Sequence, residues 1–282
     1  MRYIVSEPPM TEVAPGIQLS EIAPGGKQGP NGEVLLPTRG GQVWLESWLL
    51  GSDADPFRLA IPDVRMPANQ YWPMHWHDCW IAVIVLDGEC LVGDTWLEPG
   101  EVLVAPAGLE YGPLVSGPTG CQLFEIFAKD HLSLGGYGPE YHDHPTLQDT
   151  AEDGASMFQF LPRSGENERN RMNETLPLAA DARLNLGRLG AGHRWDLGEP
   201  DDPDRGLVED VILRPGEEFR SRNDDEWRAL FLLDGTASFG GRPLAERSVL
   251  IVAPGAVLPR IQPGASGAHL LEVTRSAAGA AA

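Results

Sequence analysis

An all-β fold assembled from a duplicated unit is what this sequence predicts, and three observations carry that expectation. Glycine (33) and proline (25) together exceed a fifth of the 282 residues, a composition that favours short elements joined by turns over long helices. From residue 42 onward, β-branched and apolar runs of strand length alternate with tight Gly, Pro and Asp turns, the pattern of antiparallel sandwiches and barrels. Three short segments then recur in the same order. Trp80-(x)5-Leu-Asp-Gly88 returns as Trp227-(x)5-Leu-Asp-Gly235, 147 residues on; Pro106, closing Val102-Leu-Val-Ala-Pro106, returns as Pro254, 148 on; and Phe124-Glu-Ile126 returns as Leu271-Glu-Val273, 147 on. Three matches at one spacing mark an internal repeat.

Residues 1–41 hold Ala-Pro-Gly and Gly-Pro-Asn-Gly breakers between scattered apolar positions and are expected to form an extended arm. Residues 42–129 make the first unit, with strands expected at Gln42–Leu50 and Leu59–Met66. A further strand is expected to run without a break from His75 to Val85, so that His75, His77, Cys79, Ile81, Val83 and Val85 share one face. Glu-Cys-Leu-Val, Thr-Trp-Leu, Glu-Val-Leu-Val-Ala and Cys121–Phe127 come next as short strands between turns. Residues 130–205 are less regular and are assigned to the connection, with a possible strand at 182–189. Residues 206–275 carry the second copy, and 276–282 a flexible tail.

Charge narrows the function. Asp and Glu number 41 against 21 Lys and Arg, a formal net charge of -20, which disfavours nucleic acid and anionic membranes as partners. The N-terminus lacks the apolar core of a signal peptide, and no window approaches 18 uncharged apolar residues. The expectation is a soluble cytoplasmic protein. Cys79, Cys90 and Cys121 are too few and too irregularly spaced for a disulfide framework or a cysteine zinc site, and are read as free thiols.

His75 and His77, two residues apart on one strand face, lie about 7 Å apart along the chain, within joint reach of one metal ion. A pair of hydrogen-bonded, inert histidines is the alternative. Together with the residues downstream of them, the two histidines resemble the cupin superfamily. Its first motif, Gly-(x)5-His-x-His-(x)3,4-Glu-(x)6-Gly, is matched by His75, His77 and Gly88; its second, Gly-(x)5-Pro-x-Gly-(x)2-His, by Gly100, Pro106 and Gly108. With the degenerate copy, the resemblance implies a bicupin, two double-stranded β-helix (jelly-roll) barrels in tandem. The departures are specific. The motif's Glu falls on Ile81 and its last His on Tyr111, leaving two of four ligands. Tyr111 is the positional candidate for a third, as phenolate, or else a barrel-lining hydroxyl that hydrogen-bonds substrate or water. Glu110, Cys79 and Glu125 are the other candidates. In the second unit the same register puts Arg222, Asp224 and Arg228 at the ligand positions, where they would form a charge-paired plug or bind an acidic ligand. A second His-x-His, His142 and His144, falls in a loop, either solvated or folded over the barrel as a lid.

The resemblance implies a metal-dependent enzyme acting on a small organic molecule, with His75, His77 and Tyr111 as metal ligands and Tyr111 and Glu110 as catalytic residues. Fe(II) is favoured if the reaction is a dioxygenase-type oxidation; Mn, Ni or Zn would suit a lyase or isomerase. A non-catalytic small-molecule binder or sensor is the alternative. A homodimer is expected.

Overall fold

A computed structural model describes residues 2–6, 8–22, 42–52, 58–66, 68–72, 75–77, 79–128, 134–137, 183–199, 202, 205–220 and 225–276. Within it the side chains of 2–6, 42–46, 71–76, 134–137 and 276 are not described. Arg222, Asp224, His142 and His144 lie outside the described residues. All regular structure among the described residues is strand, so no helix there is long and apolar enough to cross a membrane.

The first twelve strands are β1 (Arg2–Ser6), β2 (Thr11–Ala14), β3 (Ile17–Glu21), β4 (Gln42–Leu50), β5 (Leu59–Met66), β6 (Tyr71–Trp72), β7 (His75–His77), β8 (Ile81–Val92), β9 (Thr95–Leu97), β10 (Glu101–Ala105), β11 (Leu114–Phe127) and β12 (Leu134–Tyr137). After them come β13 (Asn185–Arg188), β14 (Arg194–Leu197), β15 (Gly206–Leu213), β16 (Glu226–Phe239), β17 (Arg242–Leu244), β18 (Ser248–Val252) and β19 (Ile261–Ser276). The chain divides into two compact units: residues 1–7, 24–48 and 60–187, and residues 8–23, 49–59 and 188–282.

One sheet runs β1-β4-β5-β11-β8-β10-β13, with β6 added to β11 and β9 to β8. A second runs β14-β15-β19-β16-β18-β3-β2, with β17 added to β16, and a third is the two-stranded pair β12-β7. The long central pairs, β8 with β11 and β16 with β19, are antiparallel and bulged. This is the all-β, tandem jelly-roll architecture that the sequence predicts. The second sheet also takes in the hairpin β2–β3 from the N-terminal arm, where Ile17–Glu21 pairs antiparallel with Ser248–Val252.

The repeat is preserved in the backbone. The N–H of Gly100 donates to the carbonyl of Val85 (2.8 Å), and that of Arg247 to Leu232 (2.7 Å); the N–H of Gly93 donates to Pro113 (3.0 Å), and that of Gly240 to Arg260 (3.2 Å). Left-handed residues recur at the same spacing, among them Gly88 and Gly235 (φ 72° and 83°), Gly108 and Gly255, and Gly120 and Gly267. At Gly88 a Cβ would lie 2.1 Å from the carbonyl oxygen of Gly120; at Gly235 it would lie 2.5 Å from that of Gly267. Only glycine satisfies both the φ and the close approach of the paired strand. Two pairs replace a glycine: Asn69 stands where the second copy has Gly216, and Arg247 where the first has Gly100, all four left-handed.

The repeat also begins earlier than the three sequence matches indicate. Trp48-x-Leu-Gly51-(x)6-Arg58 and Trp195-x-Leu-Gly198-(x)6-Arg205 correspond at 147 residues, with Asp55-Pro56 and Asp202-Pro203 inside them. Thus β14, within the stretch assigned to the connection, corresponds to the end of β4. Asp63 on β5 corresponds to Asp210 on β15 in the same way.

The strand expected from His75 to Val85 is broken. It ends at His77, bends through Cys79, and resumes as β8 at Ile81. The two parts have different partners: β7 pairs with β12, and β8 with β10 and β11. Breaking the strand frees β7 from the β8–β11 ladder, so the shared-face parity across residues 77–81 does not hold as a single-strand rule.

Candidate functional site

The site is built from β7, the turn after β10, and the end of β11. The carbonyl of His77 accepts from the N–H of Gly108 at 2.8 Å, and this holds β7 against the turn that comes after Pro106. That turn leads within three residues to Tyr111, which is buried. The Tyr111 hydroxyl lies 2.9 Å from His77 Nε2, so the two side chains share a hydrogen bond. His77 is itself buried and packs edge-on to the Phe127 ring, centroids 4.9 Å apart. Phe127 belongs to β11, where Glu125 lies two residues back on the same face, about 7 Å along the strand.

Glu125 is the unusual group. It is 5 % exposed, sits in the apolar run Cys121–Phe127, and opposes Val83 across the β8–β11 ladder. Its Oε1 is buried without a hydrogen-bond partner. Burial pushes its carboxyl from the ordinary value near 4.5 up to about 8, because a charge in an apolar interior lacks the solvation of water. Burial likewise pushes the Tyr111 phenol well above its usual range, with the nearby charge of Glu125 adding to the effect. In the metal-free protein Tyr111 is therefore a neutral hydroxyl, hydrogen-bonded to His77.

The other expected residues fall in varied settings. His75 lies on β7, with its side chain not described. Glu110 is exposed, while the chain buries its neighbour Tyr111. Cys79, Cys90 and Cys121 are free thiols, all buried. Trp96 is 48 % exposed on β9.

Among the described residues no group of three His, Cys, Asp or Glu side chains is arranged to hold a metal ion. Two donors of suitable chemistry, the His77 imidazole and the Glu125 carboxylate, do face the same interior. The orphaned buried oxygen of Glu125 is what fits a cation there, since a buried carboxylate without partners is costly. Glu125 is one of several sequence candidates, and the sequence holds a stronger signal for it. It is the only charged residue in an otherwise uncharged strand, and it recurs as Glu272 at the repeat spacing.

The corresponding interior of the second unit is different. Leu230, Leu232, Leu250, Val252 and Leu270 pack with Ile17 from β3 into an apolar core. Beside it Arg228, 2 % exposed, points a guanidinium nitrogen at Glu272, 3.9 Å away. Arg228 thus forms part of a charge pair, with Glu272 as the described partner. Leu258 stands where the first unit has Tyr111.

No family model and no curated protein sequence matches the chain. Solved structures do resemble it. A protein from Nostoc punctiforme proposed to be a dioxygenase is 12 % identical, with a TM-score of 0.50 over 82 % of this chain and 73 % of that one. A bacterial pirin from Escherichia coli in complex with nickel(II) is 16 % identical, with a TM-score of 0.47 over 82 % and 91 %. An oxalate decarboxylase formate complex from Lactobacillus farciminis is 14 % identical, with a TM-score of 0.45 over 95 % and 84 %. The duplicated backbone, the two matching sheet orders and the two motifs on β7–β11 give this chain the bicupin form of the cupin fold.

Proposed function

We propose that the chain is a metal-dependent bicupin enzyme acting on a small organic molecule in its N-terminal barrel. The observation that carries this reading is the buried, partnerless carboxylate oxygen of Glu125 in the interior that also holds His77 and Tyr111. His75 and His77 would hold a divalent ion, which would supply Lewis-acid or redox chemistry. Fe(II) is the preferred ion, in a dioxygenase-type oxidation, because an imidazole-rich set with open positions suits it; Mn, Ni or Zn would accompany a lyase or isomerase step. Tyr111, neutral and anchored to His77, orients that imidazole and offers a proton at its hydroxyl. In the metal-free protein Glu125 holds a proton near neutral pH, and it would give that proton up on binding a cation. The apolar walls from Ile81, Val83 and Phe127 exclude water. The reading includes a homodimer in the cytoplasm, with no nucleic-acid or membrane partner.

Metal analysis of protein purified without a histidine tag tests this reading. About one transition-metal ion per chain is expected in the wild type and none after His75→Ala with His77→Ala. A wild type free of metal under every growth condition would overturn it. The second reading, a non-catalytic small-molecule binder, is favoured by one observation: His77 Nε2 is already engaged by Tyr111.

A further inference from the structure

The two barrels contain the same buried carboxylate with different counterparts. Glu125 and Glu272 occupy equivalent places, 147 residues apart, on β11 and β19. In the second barrel the residue at position 228 of β16 is arginine, and its guanidinium lies 3.9 Å from the Glu272 carboxylate. The equivalent residue of the first barrel is Ile81, at the start of β8, which is fully buried and uncharged. The carboxylate has been kept and its protein cation has not. In the second barrel the cation comes from the chain; in the first the chain supplies none at that place, and Glu125 Oε1 has no hydrogen-bond partner.

We infer that Glu125 is the carboxylate ligand of a divalent cation held in the N-terminal barrel with His77, contributed from β11 rather than from β8. Three facts support this placement. Phe127, one step along the same strand face, already touches the His77 ring. Tyr111, buried like Glu125, places its hydroxyl 2.9 Å from His77 Nε2. And Ile81 leaves an apolar position where a guanidinium would otherwise compete for the carboxylate. A divalent ion would satisfy the orphaned oxygen and relieve the cost of burying it, as Arg228 does for Glu272.

The inference rests on the reading that the first barrel holds a metal, and its test separates the two. Untagged, metal-stripped wild type, Glu125→Gln, Glu125→Asp and His77→Ala are titrated with Co(II), monitored by calorimetry and by the shift in melting temperature. Glutamine keeps the shape of the side chain and removes the charge, so the metal-free Glu125→Gln protein is expected to melt no lower than metal-free wild type. Its Co(II) affinity is expected to fall about tenfold or more, with the metal-induced rise in melting temperature lost. Glu125→Asp is expected to retain part of both. Wild-type affinity in Glu125→Gln, with binding abolished in His77→Ala, would overturn the role of Glu125 and leave the metal site standing. No Co(II) binding by the wild type would overturn both.

Discussion

At the place where the first barrel has Ile81 the second has Arg228, and at the place where the first has Tyr111 the second has Leu258. Those exchanges turn one backbone plan into two interiors. The second holds packed leucine and valine and a paired charge. The first gathers His77, Tyr111 and Glu125, polar groups that do not fully satisfy one another. Duplication supplies a stable frame twice over, and a few substitutions on the inner faces decide which copy keeps unsatisfied chemistry. The buried aspartates make the same point outside the core strands. Asp63 binds Arg65 and Gln122 at 2.6 and 2.7 Å. Its counterpart Asp210 accepts three N–H groups, from Gly190, Ala191 and Gly192, and contacts His269 at 2.5 Å. The same carboxylate locks a sheet in one unit and a loop in the other.

The largest expected effect comes from breaking the plug of the second barrel. Arg228→Met removes the guanidinium that lies 3.9 Å from the buried Glu272 carboxylate and is expected to cost about 3–5 kcal/mol in urea unfolding. Adding Glu272→Leu should restore most of that loss. If Arg228→Met alone is neutral, the pair is not what fills that interior.

A smaller effect tests the shared frame. Gly88→Ala and Gly235→Ala both meet a carbonyl oxygen at left-handed φ, and each is expected to cost about 2–3 kcal/mol. The cost should be greater at Gly88, where the approach is 2.1 Å against 2.5 Å. Equal tolerance at both sites would mean that the paired strands move apart readily.

The smallest effect, over any one pH unit, is electrostatic and opposite in sign in the two barrels. Glu125 titrates in the folded protein at about 8, so between about 4.5 and 8 the native state keeps a proton that the unfolded chain has released. Stability of the metal-free protein should therefore fall as pH rises through that window, by about 1 kcal/mol per pH unit. Glu125→Gln should flatten the slope. For Asp210 burial opposes the charge, but His269 and the loop N–H groups outweigh it and hold the carboxyl below its ordinary range. Its contribution is present at neutral pH and is lost as pH falls below about 4.

Much of the fold was legible in the sequence, and the remainder was hidden for identifiable reasons. Strands β4 and β5 were readable residue for residue, because apolar runs bounded by breakers fix them. The repeat was readable where Asp-Gly and Ala-Pro turns punctuate it. Its earlier part, Trp48 to Arg58 and Trp195 to Arg205, was harder to see because the matching residues are spread through polar loops. The break between β7 and β8 left no trace, since Asp78-Cys79-Trp80 carries no glycine or proline and the alternation continues through it. The exposure of Glu110 and burial of Tyr111 depend on the turn that ties Gly108 to His77, a contact between residues 31 apart. The pairing of β3 with β18 could not be read at all, because nothing local to Ile17–Glu21 names a partner on the order of 230 residues away.

That last pairing bears on how the chain is made. The hairpin β2–β3 leaves the ribosome on the order of 230 residues before the strand it must join. At roughly 5–20 residues per second, β3 waits on the order of ten to fifty seconds for β18. During that interval it must remain available and unpaired with other edges, and the whole intervening chain has to be threaded into a closed loop before the pairing forms. Completion of the second sheet therefore waits until β18 has been made. A fragment beginning at residue 206 would present the edge of β18 uncovered, inviting association through that strand.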